Sequence, residues 1–181
     1  RAMLEHYLYG TVPPLPQKIE VKKHDSKSVF DGKGLRETYT LTIRRNGLTA
    51  SCKLVVVRPK ANKRYPTVIK NDRVAFDEEL DENTEFAGEE AIRRGYLLCR
   101  FEREALATDA RGIDRSAGVY PLYPEYAWRA LAVWGWAHGV VLDALDQFDL
   151  VDMNKVVATG HSRGGKAALC AGIFDERVTI T

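Results

Sequence analysis

Strict alternation of polar and apolar positions opens the structured part of the chain. Thr38, Thr40 and Thr42 interleave with Tyr39, Leu41 and Ile43, the period of a strand with one buried face. Asn46-Gly47 is a hairpin signal, and Ala50 to Arg58 returns as the partner strand. Pro66-Thr67-Val68-Ile69-Lys70 predicts the first parallel strand and Tyr96 to Phe101 the next buried one. Between them, Glu82 to Arg94 has helical spacing through Phe86, Ala87 and Ala91, with Gly95 as its stop. Tyr126 to Phe148 lies between Pro124 and Asp149. Its Trp128, Leu131, Trp134, Val141, Leu145 and Phe148 cover most of a helix circumference, so this helix is expected to be heavily buried. Lys155 to Gly160 predicts another strand, Gly164 to Phe174 a helix whose small residues allow close approach to a sheet, and Arg177 to Thr181 the start of one more strand.

The first 36 positions are patterned differently. Residues 1–10 form a short amphipathic segment with Met3, Leu4, Tyr7 and Leu8 on one side, and Pro13, Pro14 and Pro16 extend the chain beyond it. Lys18 to Arg36 is charged and glycine-punctuated, with Ile19 and Val21 as an edge pairing. The expected division is an arm over 1–36 and part of a catalytic domain over 37–181. The stretch from Glu102 to Glu125 predicts a long irregular connection after a strand's C-terminal end, the position that overhangs a site in an α/β sheet. Asp109, Arg111, Asp114 and Arg115 within it are placed either to touch a polar ligand or simply to solvate the loop.

Composition changes this picture little. With 181 residues, 45% hydrophobic and 29% charged, the chain can bury one core. A net charge of +2 argues for neither nucleic acid nor an anionic membrane surface. The basic cluster Arg58, Lys60, Lys63 and Arg64 reads as a solvated hairpin. No run approaches the ~18 apolar residues of a membrane span, and no signal peptide is present. Cys52, Cys99 and Cys170 lie in apolar runs without metal spacing, so buried thiols are expected, with no metal and no cofactor.

The candidate chemistry sits at Val156 to Leu169, where an apolar run ends in a glycine-flanked serine. Gly160-His161-Ser162-Arg163-Gly164 fits G-x-S-x-G, the nucleophile elbow. Such a turn forces the serine into a strained conformation, so positions two before and two after it must lack side chains that would collide. Ser162 would then stand at a helix N-terminus, where backbone N–H groups can stabilise an oxyanion. Gly160 to Lys166 also reads as the start of a phosphate-binding loop. That reading lacks the hydroxyl needed to ligate magnesium, because the next residue is Ala167.

Gly160-His161-Ser162-Arg163-Gly164-Gly165-Lys166 resembles the signature of glucuronoyl esterases, carbohydrate esterase family 15. Ala127 to Trp136 is similar to that family's long Trp-Gly helix, and His6 to Pro14 to its N-terminal segment. The resemblance implies an α/β-hydrolase fold, a three-layer αβα sandwich, here ending after the elbow helix as an N-terminal fragment. It implies hydrolysis of 4-O-methyl-glucuronoyl esters that link xylan to lignin alcohols, in a secreted or periplasmic enzyme of bacterial origin, monomeric when complete. In some members the residue before the serine is a disulfide-bonded cysteine. His161 stands there in this chain, so that bridge is ruled out.

Ser162 is the candidate nucleophile, and the Arg163 N–H the oxyanion donor, with its guanidinium assisting there as the resemblance implies. Lys166, one helical turn on, projects from the same side, and the resemblance assigns it to sugar hydroxyls. Two cations at the positive end of a helix dipole are unfavourable without a polar or anionic partner, which favours function over a merely solvated helix start. The loop Asn71-Asp72-Arg73-Val74 is expected to supply a second oxyanion N–H.

No histidine follows Ser162. His6, His24, His138 and His161 all precede it, and only Asp175 and Glu176 are acids beyond it. His161 is expected to pack below the turn and His138 within its helix, leaving the base and acid downstream of Thr181 and this fragment inactive alone. Trp134 and Trp136 are expected to pack against the sheet instead of stacking on a sugar. An acetylxylan esterase would share the elbow without a carboxyl-sugar pocket. A nucleotide-binding loop protein and a noncatalytic carbohydrate-binding remnant are the readings from other classes.

Overall fold

A computed structural model describes residues 1–73, 82–110, 112 and 114–181, without the side chains of 82–86. Its centre is a six-stranded sheet of β1 (Ile19–Val29), β2 (Gly34–Arg45), β3 (Leu48–Pro59), β4 (Tyr65–Asp72), β5 (Leu97–Glu102) and β6 (Val151–Thr159). The spatial order is β1-β2-β3-β5-β4-β6. β1 to β3 and β5 pair antiparallel in that order, while β4 pairs parallel with both β5 and β6.

The alternation read from the sequence sets the two faces of this sheet. Leu54 and Val56 of β3 join the main core with α3 (Ala130–Asp146) and α4 (Arg163–Phe174). Val55 and Val57 point the other way, against Phe30 and Ile92 of α2 (Glu82–Arg93). Helices therefore cover both faces, giving the expected αβα sandwich. The Asn46-Gly47 hairpin holds, with both residues at positive φ, 51° and 77°, the pair that a type I′ turn demands.

Several expected boundaries shift for physical reasons. The edge pairing at Ile19 and Val21 continues to Val29, so most of 19–36 is strand paired into the same sheet. The long helix starts at Ala130, not Tyr126. Ala127 accepts a hydrogen bond from the Thr11 N–H, and Trp128 bridges Gly10, so this backbone is already paired with the N-terminal segment and cannot enter the helix. The expected strand after α4 contributes one parallel bridge, Val157 to Ile180. Met3, Leu4, Tyr7 and Leu8 are exposed, and Tyr9 is the buried residue of that segment. The basic cluster spans a connection between β3 and β4, which are not neighbours, and is no hairpin. The thiols are buried as expected; Trp134 and Trp136 are buried too, and Trp136 packs against Tyr123 and Trp128 and donates to the Pro14 carbonyl. Arg111 and Val74 lie outside the described residues.

Arg58, expected to be solvated, is buried for a specific reason. Its Nε donates to Glu37 Oε2 at 2.8 Å, Tyr39 donates to the same oxygen at 3.1 Å, and Lys23 pairs with Oε1. Glu37 is 1% exposed. Burial would raise its carboxyl, but the bonds from Arg58 and Lys23 overcome that and hold it below the usual range. Removing the carboxylate leaves Arg58 buried beside no anion. Glu37→Ala is expected to cost about 3 kcal/mol or more, read as a lower denaturant midpoint, whereas the double change Glu37→Met with Arg58→Met costs clearly less.

Candidate active site

β6 ends at Thr159 and α4 begins at Arg163, leaving three residues to reverse the chain. Ser162 takes φ 55° and ψ −113°, a strained conformation for a residue with a Cβ. The steric expectation for its neighbours holds in detail. A Cβ on Gly160 would lie 2.4 Å from the Gly164 carbonyl carbon, and one on Gly164 would lie 2.5 Å from both Asn71 Oδ1 and Arg103 Nη1. Neither position admits a side chain. Ser162 is exposed, and among the described residues nothing hydrogen-bonds its hydroxyl. As the first residue of α4, Arg163 leaves its N–H without an intrahelical acceptor.

Asn71, at the end of β4, clamps this turn. The buried positions Tyr65, Thr67, Ile69 and Asn71 share one strand face, so the period that builds the core also delivers an amide beneath the elbow. Its Nδ2 donates to Thr159 O at 3.2 Å and to Gly164 O at 3.0 Å, joining the last residue of β6 to the first turn of α4. Its Oδ1 accepts from Arg103 Nη1 at 2.8 Å. Arg103 lies with its Cζ 4.3 Å from the Trp134 ring centroid; its buried Nε has no hydrogen-bond partner among the described residues, the Glu104 carboxylate being 3.8 Å away. Burial pushes this guanidinium below its usual value against the opposing pull of Glu104 and Asp109.

His138 completes the clamp and is excluded as a base. Its Nδ1 lies 2.8 Å from the Trp134 carbonyl, which can only accept, so Nδ1 carries the proton. Nε2 is then an acceptor and lies 3.3 Å from Asn71 Nδ2, sharing one of that amide's two hydrogens with a backbone carbonyl. The residue is fully buried, and burial lowers its pKa to about 4 despite the opposing backbone bonds. His161, expected to pack below the turn, is exposed. The turn carries it past the end of β6; its carbonyl accepts from the Gly164 N–H at 2.8 Å, and its ring makes no hydrogen bond among the described residues.

Of the remaining predicted residues, Arg163 pairs with Asp109 of the long connection. Lys166 is exposed, and its carbonyl accepts a hydrogen bond from the buried Tyr9 hydroxyl at 3.0 Å. Asp114 accepts from Ser116, while Arg115 donates to the Tyr126 carbonyl at 3.1 Å, so both serve the loop itself. The loop expected to offer a second oxyanion donor presents the Arg73 N–H already bonded to Asp72 Oδ1 at 2.8 Å. Asp175 is bound by Arg177 at the far end of α4, about 18 Å of helix from Ser162. The roles of Tyr9, Asn71 and Arg103 were not legible in the sequence because each acts through a contact distant along the chain. The signal available for Asn71 was a polar residue at the buried phase of an apolar strand.

A family model described as "Glucuronyl esterase, fungi" matches residues 41–181. A 4-O-methyl-glucuronoyl methylesterase of Podospora anserina is 24% identical over 185 residues, covering 99% of this chain and 34% of that protein. The structure of a glucuronoyl esterase from Solibacter usitatus superposes with a TM-score of 0.82 at 24% identity, over 99% of this chain and 55% of that one. A Sporotrichum thermophile glucuronoyl esterase variant in complex with methyl 4-O-methyl-beta-D-glucopyranuronate superposes at 0.68 with 18% identity, over 99% and 43%. The chain thus spans about a third of the length of the curated relatives it matches and about half of the solved ones. With the three layers described above, these superpositions establish the α/β-hydrolase fold.

His138 couples the clamp to pH. Its folded pKa of about 4 lies below the unfolded value of about 6.5. The unfolded chain therefore takes up the proton first, and stability is complete above pH 6.5 and falls as pH drops toward 4. This one group should account for a loss of roughly 2 kcal/mol between pH 7 and pH 5. Urea titrations at the two pH values should show that loss shrinking in His138→Gln.

Proposed function

The chain belongs to the glucuronyl esterase family, and from that membership we propose that Ser162 is the nucleophile of an esterase acting on 4-O-methyl-glucuronoyl esters. The esters concerned are those joining xylan to lignin alcohols, and a polysaccharide of that kind implies export from the cell. The observation that carries the reading is the strained, exposed Ser162 between Gly160 and Gly164 with Arg163 directly after it.

In this reading the Ser162 oxygen attacks the ester carbonyl, the alcohol leaves, and water then cleaves the acyl-enzyme to the free acid. The unpaired Arg163 N–H points its dipole at the developing oxyanion, and its guanidinium adds a positive charge beside it. The N–H works without reorganisation because the clamp of Asn71 fixes the turn before substrate arrives. Lys166, exposed four residues after Ser162, takes a hydroxyl of the glucuronate ring and not the reacting carbon. The phosphate-loop alternative has no support from Ala167, which is buried and carries no oxygen.

The full-length enzyme is expected to cleave benzyl glucuronate much faster than it releases acetate from acetylated xylan. Acetate release at an equal or higher rate would move the assignment to an acetylxylan esterase. Lys166→Ala should lower kcat/KM on the glucuronate ester by about ten- to a hundredfold, the loss of a charge-assisted hydrogen bond. An aryl acetate, with no sugar to hold, should be hydrolysed by that variant at close to the original rate.

A further inference from the structure

The ion pair between Arg163 and Asp109 stands beside the nucleophile, and no step above uses the carboxylate. Its two partners differ in freedom. The Asp109 side chain is 13% exposed and that of Arg163 58%. The Asp109 N–H donates to Glu104 Oε2 at 2.7 Å. Two residues earlier, the Ala107 N–H donates to Arg103 O at 3.1 Å and the Ala107 carbonyl accepts from Trp134 Nε1 at 2.8 Å. The backbone that carries the carboxylate is therefore held by Glu104, Arg103 and Trp134, and the more exposed arginine is the adaptable partner.

Hydrolysis changes the charge of what lies at this site. An ester group is neutral, whereas the acid it yields is ionised at neutral pH. A guanidinium left free beside Ser162 would hold that product by charge-assisted, bidentate bonds much more tightly than it holds the ester. Asp109 already occupies part of the guanidinium fork and repels a second carboxylate. We propose that Asp109 is a positioning residue that holds the Arg163 guanidinium and keeps the acid product from being trapped on it. The inference rests on the esterase reading, and it deepens that reading by assigning product release to a residue of the overhanging loop.

The test is inhibition of benzyl glucuronate hydrolysis by free glucuronic acid in the full-length enzyme. Asp109→Asn should lower the inhibition constant for the acid about tenfold, the scale of one charge-assisted hydrogen bond. The KM for the neutral ester should move by less than about twofold. Asp109→Ser should shift inhibition the same way, and Asp109→Glu should restore the original constant. An unchanged inhibition constant in either neutral variant, with melting temperature preserved, would overturn the proposal while leaving the esterase reading intact. No hydrolysis by the unsubstituted enzyme would instead overturn the esterase reading, and this inference with it.

Discussion

The site depends on one close backbone contact, where the end of β6, the start of α4 and the end of β4 meet. Gly160 and Gly164 face each other with no room for a methyl group, and the Asn71 amide fills the remaining space. This contact decides the rest of the site. It fixes the reversal after Thr159, sets Ser162 at positive φ, and aims α4 so that its first N–H groups stand at the serine. A larger residue at either glycine would open the turn and lower the serine into the sheet end.

Strain at one residue persists only when its surroundings over-determine it. Here the restraint is distributed over all the neighbouring elements. Asn71 ties β6 to α4, Arg103 ties Asn71 to the strand end of β5, and His138 ties it to α3. Tyr9 reaches from the N-terminal segment to the carbonyl of Lys166. The cost is visible at Arg103, whose buried Nε has no hydrogen-bond partner among the described residues and only a distant ion pair with Glu104. A buried guanidinium is an expensive strut, and it is tolerated where it fixes the amide on which the elbow depends.

Much of the fold was legible because it rests on local periodicity. The Thr38 to Ile43 alternation, the Asn46-Gly47 turn and the Gly95 stop each act within a few residues. The elbow was legible because its steric demand falls on glycines at fixed offsets from Ser162. What the sequence hid depends on partners far along the chain. The start of α3 moved because Ala127 and Trp128 pair with Thr11 and Gly10. Arg58 looked like a solvated cation until Glu37, on the neighbouring strand, turned out to be buried beside it. Asp109 read as one of several loop charges, and only the folding of that loop over α4 singles it out. His161 was misplaced because a residue in a turn belongs to neither face of the strand before it.

All of this converges on a single reactive oxygen, and covalent labelling tests it most directly. Exposing the full-length enzyme to a fluorophosphonate and mapping the adduct by peptide mass spectrometry should place the phosphonyl group on Ser162, with labelling abolished in Ser162→Ala. Labelling on another serine, or none on Ser162 in an enzyme that turns over its ester, would contradict its role as the nucleophile.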